Sequence, residues 1–119
     1  MQSVRPGWWH VRAAHRKAEL DAAIVRLRAL VPDLPDVEGI LVFGSYARGE
    51  VGPTSDLDLI VIQRSELPQM LRTFELYPKL RIGVAFDAIV YTPEEFERLR
   101  ESRAFVAQAM REGFWLHAT

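Results

Sequence analysis

Along the first third of the chain, Leu20, Ala23, Ile24, Leu27 and Val31 recur at three- and four-residue steps, with Arg16, Lys17, Asp21, Arg26 and Arg28 mainly at other positions. That spacing makes one apolar stripe and predicts a helix from about His10 to Val31, ended by Pro32 and Pro35. Gly39 to Phe43 is a short unbroken apolar run that stops at a glycine, the pattern of a buried strand. Gly44 to Pro53 is rich in glycine and polar residues and reads as a loop or a short helical turn. Leu57, Leu59 and Val61 then alternate with Asp58, Ile60 and Ile62, which predicts a second strand. Leu67 to Tyr77 predicts a short helix closed by Pro78. Leu80 to about Tyr91 predicts a third strand, with Ile82, Val84, Phe86, Ala88 and Val90 on one face and Gly83, Ala85, Asp87, Ile89 and Tyr91 on the other.

Thr92, Pro93 and Glu94-Glu95 supply a capping hydroxyl, a proline at the first helical position and acids in the first turn. The helix they start runs to Arg111, with a break near Ser102, and Gly113 ends it. Phe114 to His117 adds a short edge strand. The order α-β-β-α-β-α indicates an α/β (α+β) fold in which helices pack on a small mixed sheet. Residues 1–119 fit one domain, with residues 1–9 as a loose N-terminus.

Composition narrows the functions open to such a fold. Hydrophobic residues make up 49% and charged residues 26% of the 119, the balance of a soluble globular protein. There is no cysteine, which removes disulfides, thiolate chemistry and cysteine-bound zinc and suits a reducing compartment. No stretch has the character of a signal peptide or a bilayer span, so the expected location is cytoplasmic. The formal net charge is −1. A protein that tracks nucleic acid through its phosphates shows a basic excess, so nucleic acid is not the expected partner.

The chemistry concentrates between Phe43 and Leu59. Gly44 allows the backbone to approach a ligand closely, Ser45 adds a hydroxyl and an N–H, and amides at such a turn attract phosphate oxygens. Arg48 can add a charge-assisted contact. Asp56 and Asp58 are two apart on a predicted strand, so their carboxylates point to one face. Like charges side by side drive one of them to take up a proton, and a divalent cation keeps both ionised. Oxygen-only ligation favours magnesium over zinc. Asp87 supplies a third carboxylate from an apolar strand, where a charge buried alone is costly and a metal would account for it. Three carboxylates beside a phosphate-binding turn suit two-metal catalysis.

Gly44-Ser45, ten intervening residues and Asp56-Leu57-Asp58 resemble the signature of the polymerase-beta-type nucleotidyltransferase superfamily. With Arg48-Gly49 and Ser55 included, the run is similar to that of the minimal nucleotidyltransferase branch, and Asp87 to Phe96 resembles the branch's third-carboxylate strand and following helix. The resemblance spans roughly Gly39 to Leu116. It implies that Asp56 and Asp58 bind two Mg2+ ions, that Asp87 binds one of them and helps activate the acceptor, and that Gly44 and Ser45 hold the terminal phosphates. It further implies transfer of a nucleoside monophosphate, AMP from ATP, to an acceptor hydroxyl. Many such proteins pair with a helical HEPN-domain protein as antitoxin and toxin, and the acceptor is then a tyrosine of the toxin. A second polypeptide, either that partner or another copy of this chain, is expected to complete the site. The alternative is a non-catalytic antitoxin or binding subunit that neutralises its partner by contact.

Other phosphate and metal motifs do not fit. Gly44 to Gly49 lacks the middle glycine of a dinucleotide fingerprint, no Gly-Lys-Ser/Thr follows, and Ile60 and Leu67 stand where a calcium loop needs oxygen ligands. Ser55 fits a turn cap as well as it fits a nucleotide contact. His10, His15 and His117 form no metal-like group. Trp8 and Trp9 suit packing or a partner contact, and Glu94, Glu95 and Glu97 suit helix-start and surface charges.

Overall fold

Both faces of Leu57–Gln63 are apolar apart from Asp58 and the terminal glutamine, so a sheet containing it must be covered on both sides. The computed structural model describes residues 4–117. Its elements are α1 (Gly7–Leu30), β1 (Val37–Phe43), α2 (Gly44–Ala47), β2 (Leu57–Gln63), α3 (Gln69–Leu76), β3 (Phe86–Tyr91), α4 (Pro93–Ser102), α5 (Ala104–Glu112) and β4 (Phe114–His117). The strands form one mixed sheet in the order β3-β2-β1-β4. β1 runs antiparallel to β2 and β4, and β2 runs parallel to β3. This is the expected class.

Alternation in the strands sorts the core into two. Leu57, Leu59 and Val61 join Ile40 and Val42 against Leu20, Ala23 and Leu27 of α1 and Leu76 of α3. Ile60, Ile62 and Leu41 face Phe96 of α4 and Val106 and Ala109 of α5. The α4–α5 break falls at Arg103, whose backbone is extended.

Two expectations change. The segment expected to be loose is helical from Gly7, so Trp8 and Trp9 lie in the first turn of α1, and residues 1–3 are outside the described residues. Trp9 has something to hold: its ring packs near Gly52, and the Arg5 guanidinium sits 4.0 Å from its centroid. The third strand begins at Phe86 instead of Leu80, because the ladder with β2 starts at the Leu57–Phe86 pair. Leu80 and Ile82 are buried, which produced the alternation, but they plug the α1-side core from a loop. Gly83 turns that loop at φ +81°, and the Ile82 carbonyl accepts from Arg26 at 2.9 Å instead of from a strand.

Thr92 and Glu95 form a reciprocal cap at the start of α4, with Thr92 N donating to Glu95 at 2.8 Å and Glu95 N donating to the Thr92 hydroxyl at 3.2 Å. Glu95 also receives the guanidinium of Arg72 at 2.6 Å, and Arg72 is only 7% exposed. Arg72 donates in addition to the carbonyls of Leu67 and Val90, so it ties α3 to β3 and α4. Glu95 is therefore a structural partner, whereas Glu94 and Glu97 are exposed as expected. Arg72 first, with the Thr92 amide adding to it, holds the Glu95 carboxyl below its usual range. Arg72→Ala should lower unfolding free energy by about 1–3 kcal/mol, less than for a fully enclosed pair because Glu95 keeps some solvent. Urea unfolding monitored by tryptophan fluorescence measures this, and an unchanged midpoint would contradict it.

Candidate active site

The end of β1 and the beginnings of β2 and β3 meet at one end of the sheet. Phe43 pairs with Asp58, and Asp58 pairs with Asp87. Residues paired across neighbouring strands project to the same face, so Asp58 and Asp87 stand side by side on the face that α4 and α5 cover further along. Immediately after Phe43 the chain turns through Gly44 at φ +79° into the single turn α2. A Cβ on Gly44 would run into the Asp58 carboxylate. Glycine is thus required twice, for the left-handed backbone and for the space.

Asp58 is half-buried, and its carboxyl is raised above the usual carboxylate range. Burial is the largest cause, followed by the negative charges of Asp87 and Asp56, and Arg48 offsets part of it. Asp87 is exposed on edge strand β3, so the argument that burial demanded a partner for it fails. Its place is defined by register with Asp58.

Asp56 lies just before β2, outside the strand whose parity was expected to orient it. Its direction comes from Arg16 of α1, whose Nη2 donates to Asp56 Oδ1 at 2.9 Å while Nε donates to the Ser55 carbonyl at 2.7 Å. Ser55 closes the loop: its hydroxyl accepts from Gly52 N at 2.8 Å and lies 3.3 Å from the Ser45 hydroxyl. Arg48 is turned toward Glu50 at 3.0 Å and Glu112 at 3.2 Å, so holding a phosphate would require it to exchange these partners. The Tyr46 hydroxyl donates to Asp21 of α1. Burial and Asp21 push the tyrosine up to about 12, and the Tyr46 hydrogen bond, with Lys17, holds Asp21 below its usual range.

Gly44, Ser45, Ser55, Asp56 and Asp58 are thus gathered at one sheet end, with Asp87 beside Asp58. Among the described residues no three acidic or imidazole side chains already stand grouped as a metal site. The donor set nevertheless fits a hard divalent cation in kind. It is all carboxylate, two of its members are in register, and the charge crowding on Asp58 is the kind a cation relieves.

Arg16 and the Tyr46–Asp21 pair were missed in the sequence. A signal for Arg16 exists: it falls on the stripe Ala13–Leu20–Ala23–Leu27, three residues after one buried position and four before the next. A cation on the core-facing line of a helix calls for a partner.

The sequence profile of a family described as nucleotidyltransferase domain matches residues 24–113, which include this whole constellation except Arg16 and Asp21. The chain belongs to that family. Two Methanocaldococcus jannaschii proteins, each named "putative protein adenylyltransferase", are similar to this nucleotidyltransferase. One is 52% identical over 40 residues, 34% of this chain and 45% of its own length, so the alignment spans less than half of that relative. The other is 31% identical over 75 residues, 61% of this chain and 76% of its own. A crystal structure described as a "putative nucleotidyltransferase" from Sulfolobus solfataricus aligns with a TM-score of 0.47 at 26% identity, over 67% of this chain and 78% of that one.

The crowding of Asp58 gives a testable pH dependence. Its proton is bound more tightly in the folded nucleotidyltransferase than in the unfolded chain. Asp58 therefore subtracts stability as pH rises from about 3.8 through its raised folded value, and the loss is complete above it. Without metal, Asp58→Asn should melt at an equal or higher temperature than wild type at pH 7. That difference should vanish below the usual carboxylate range. Paired melting curves across pH 3 to 7 measure it, and a lower melting temperature for the variant at neutral pH would contradict it.

Proposed function

We propose that this nucleotidyltransferase moves a nucleoside monophosphate, AMP from ATP, onto a hydroxyl of a partner protein, using two Mg2+ ions. The observation that carries this reading is the shared register of Asp58 and Asp87 beside the Gly44 turn, in a chain whose family performs nucleotidyl transfer. The amides and hydroxyl at Gly44 and Ser45 would receive the terminal phosphates. Asp56, Asp58 and Asp87 would hold the metals, which supply charge neutralisation on the triphosphate and a more acidic acceptor hydroxyl. The acceptor oxygen would form a bond to the alpha phosphorus as the bond to the beta-phosphate oxygen breaks, and pyrophosphate would leave. Asp87 is open to an acceptor from solvent, because β3 is a sheet edge and Asp87 is exposed.

A protein acceptor is supported by the names of the two archaeal relatives and by the surface next to Asp87. An apolar groove of about 800 Å³ runs between α3 and β3, walled by Met70, Phe74, Tyr77, Ile89 and Tyr91. Met70 and Phe74 are 73% and 71% exposed. Such a wall suits a polypeptide surface better than a small polar acceptor. A helical HEPN-type protein, with tyrosine as the acceptor, is the partner implied by the resemblance to minimal nucleotidyltransferases.

The test is incubation of the protein with Mg2+ and ATP labelled at either the alpha or the gamma phosphate, with and without the product of the adjacent gene. Alpha label should enter protein, gamma label should not, and Asp56→Ala should abolish incorporation. Gamma labelling would contradict nucleotidyl transfer. A tight complex with no labelling, unaffected by Asp56→Ala, would favour a subunit that acts by contact.

A further inference from the structure

We infer that Arg16 is a positioning residue for the carboxylate site: it holds Asp56 by Oδ1 and thereby presents Oδ2 to a divalent cation. The inference rests on the proposed metal-dependent reading and adds to it a residue from outside the motif. Register fixes Asp58 and Asp87, each paired along its backbone in the sheet. Asp56 precedes β2 and has no such pairing, so something else must set its direction.

Arg16 does this with two grips on consecutive residues, Nε on the Ser55 carbonyl at 2.7 Å and Nη2 on Asp56 Oδ1 at 2.9 Å. The rigid, planar fork fixes the backbone at residue 55 and the carboxylate at 56 together, which an ammonium on a flexible stem cannot do. The Arg16 side chain is 17% exposed, and its place on the buried stripe of α1 leaves it little freedom. Its remaining ion pair, to Glu19 at 3.5 Å, points to a half-exposed side chain and does not involve the site. The rest of α1 supports the neighbouring turn α2 through Asp21 on Tyr46, and the same loop through Trp9 beside Gly52. Partners that orient a ligating carboxylate in this way change metal affinity by about 10–100-fold when removed. A guanidinium that acted only as a counter-ion would have the opposite effect, because its removal would free Asp56 and tighten cation binding.

The sign of the change therefore decides the matter, and Mn2+ without nucleotide is a suitable probe. The free-Mn2+ paramagnetic resonance signal is followed as wild type, Arg16→Gln, Arg16→Lys and Glu19→Gln are titrated, each shown by a cooperative melt to be folded. Arg16→Gln should weaken Mn2+ binding about 10–100-fold. Arg16→Lys, which keeps the charge and loses the fork, should weaken it too and carries the test if the glutamine variant does not fold. Glu19→Gln should match wild type. Unchanged or tighter binding by the folded Arg16 variants, with wild type binding normally, would overturn the inference alone. Wild type with no saturable Mn2+ binding would overturn the metal reading as well.

Discussion

Asp58 occupies the space that any side chain on residue 44 would need, and that close approach orders everything around it. It is possible because an antiparallel β1–β2 pair returns the chain to the place where β1 ended, putting Phe43 opposite Asp58. The crossover through α3 then starts β3 at the same sheet end, parallel to β2, which puts Asp87 opposite Asp58. The Gly44 turn and two carboxylates thus converge through backbone pairing, with no need for long flexible side chains. The same convergence leaves an electrostatic debt, visible as an Asp58 carboxyl raised by burial and by its acidic neighbours. A divalent cation bound there, as the proposed function requires, would relieve that crowding.

Helix α1 has two roles along its length. Its Leu20–Leu27 stripe seals one face of the sheet, while the turns from Trp9 to Asp21 run past the edge of that core to the loop joining α2 and β2. Arg16, Asp21 and Trp9 reach three different points of the loop or turn. The loop between the glycine turn and the carboxylates is therefore held from outside the motif by a helix fixed in the hydrophobic core. Around the sheet edge, the Arg72–Glu95 pair ties α3, on the α1 side, to β3 and to the start of α4 on the other face, and so holds the edge strand that carries Asp87.

Much of this was legible in the sequence because it depends on period and spacing. The stripe of α1, the runs of β1 and β2, the cap at Thr92 and the edge strand after Gly113 follow from local patterns, and the glycine-serine turn with its acids follows from a motif of fixed length. Where reading stopped short, the cause was tertiary. Leu80 and Ile82 alternate like a strand yet fill a core from a loop, because burial produces alternation with or without a pairing partner. Trp8 and Trp9 looked like part of a tail because the loop that Trp9 packs against is distant in sequence. Arg16 and Arg72 each fold inward onto a carboxylate far along the chain, Asp56 at 40 residues' separation and Glu95 at 23, and no local pattern names such a partner.

The central claim is that this sheet end binds a metal-complexed triphosphate. A crystal structure of the protein with Mg2+ and a triphosphate whose alpha–beta bridge cannot be cleaved tests it most directly. The account predicts metal density about 2.0–2.1 Å from carboxylate oxygens of Asp56, Asp58 and Asp87, with the terminal phosphates on the Gly44–Ser45 turn. A triphosphate bound elsewhere, with the three carboxylates metal-free, would contradict it.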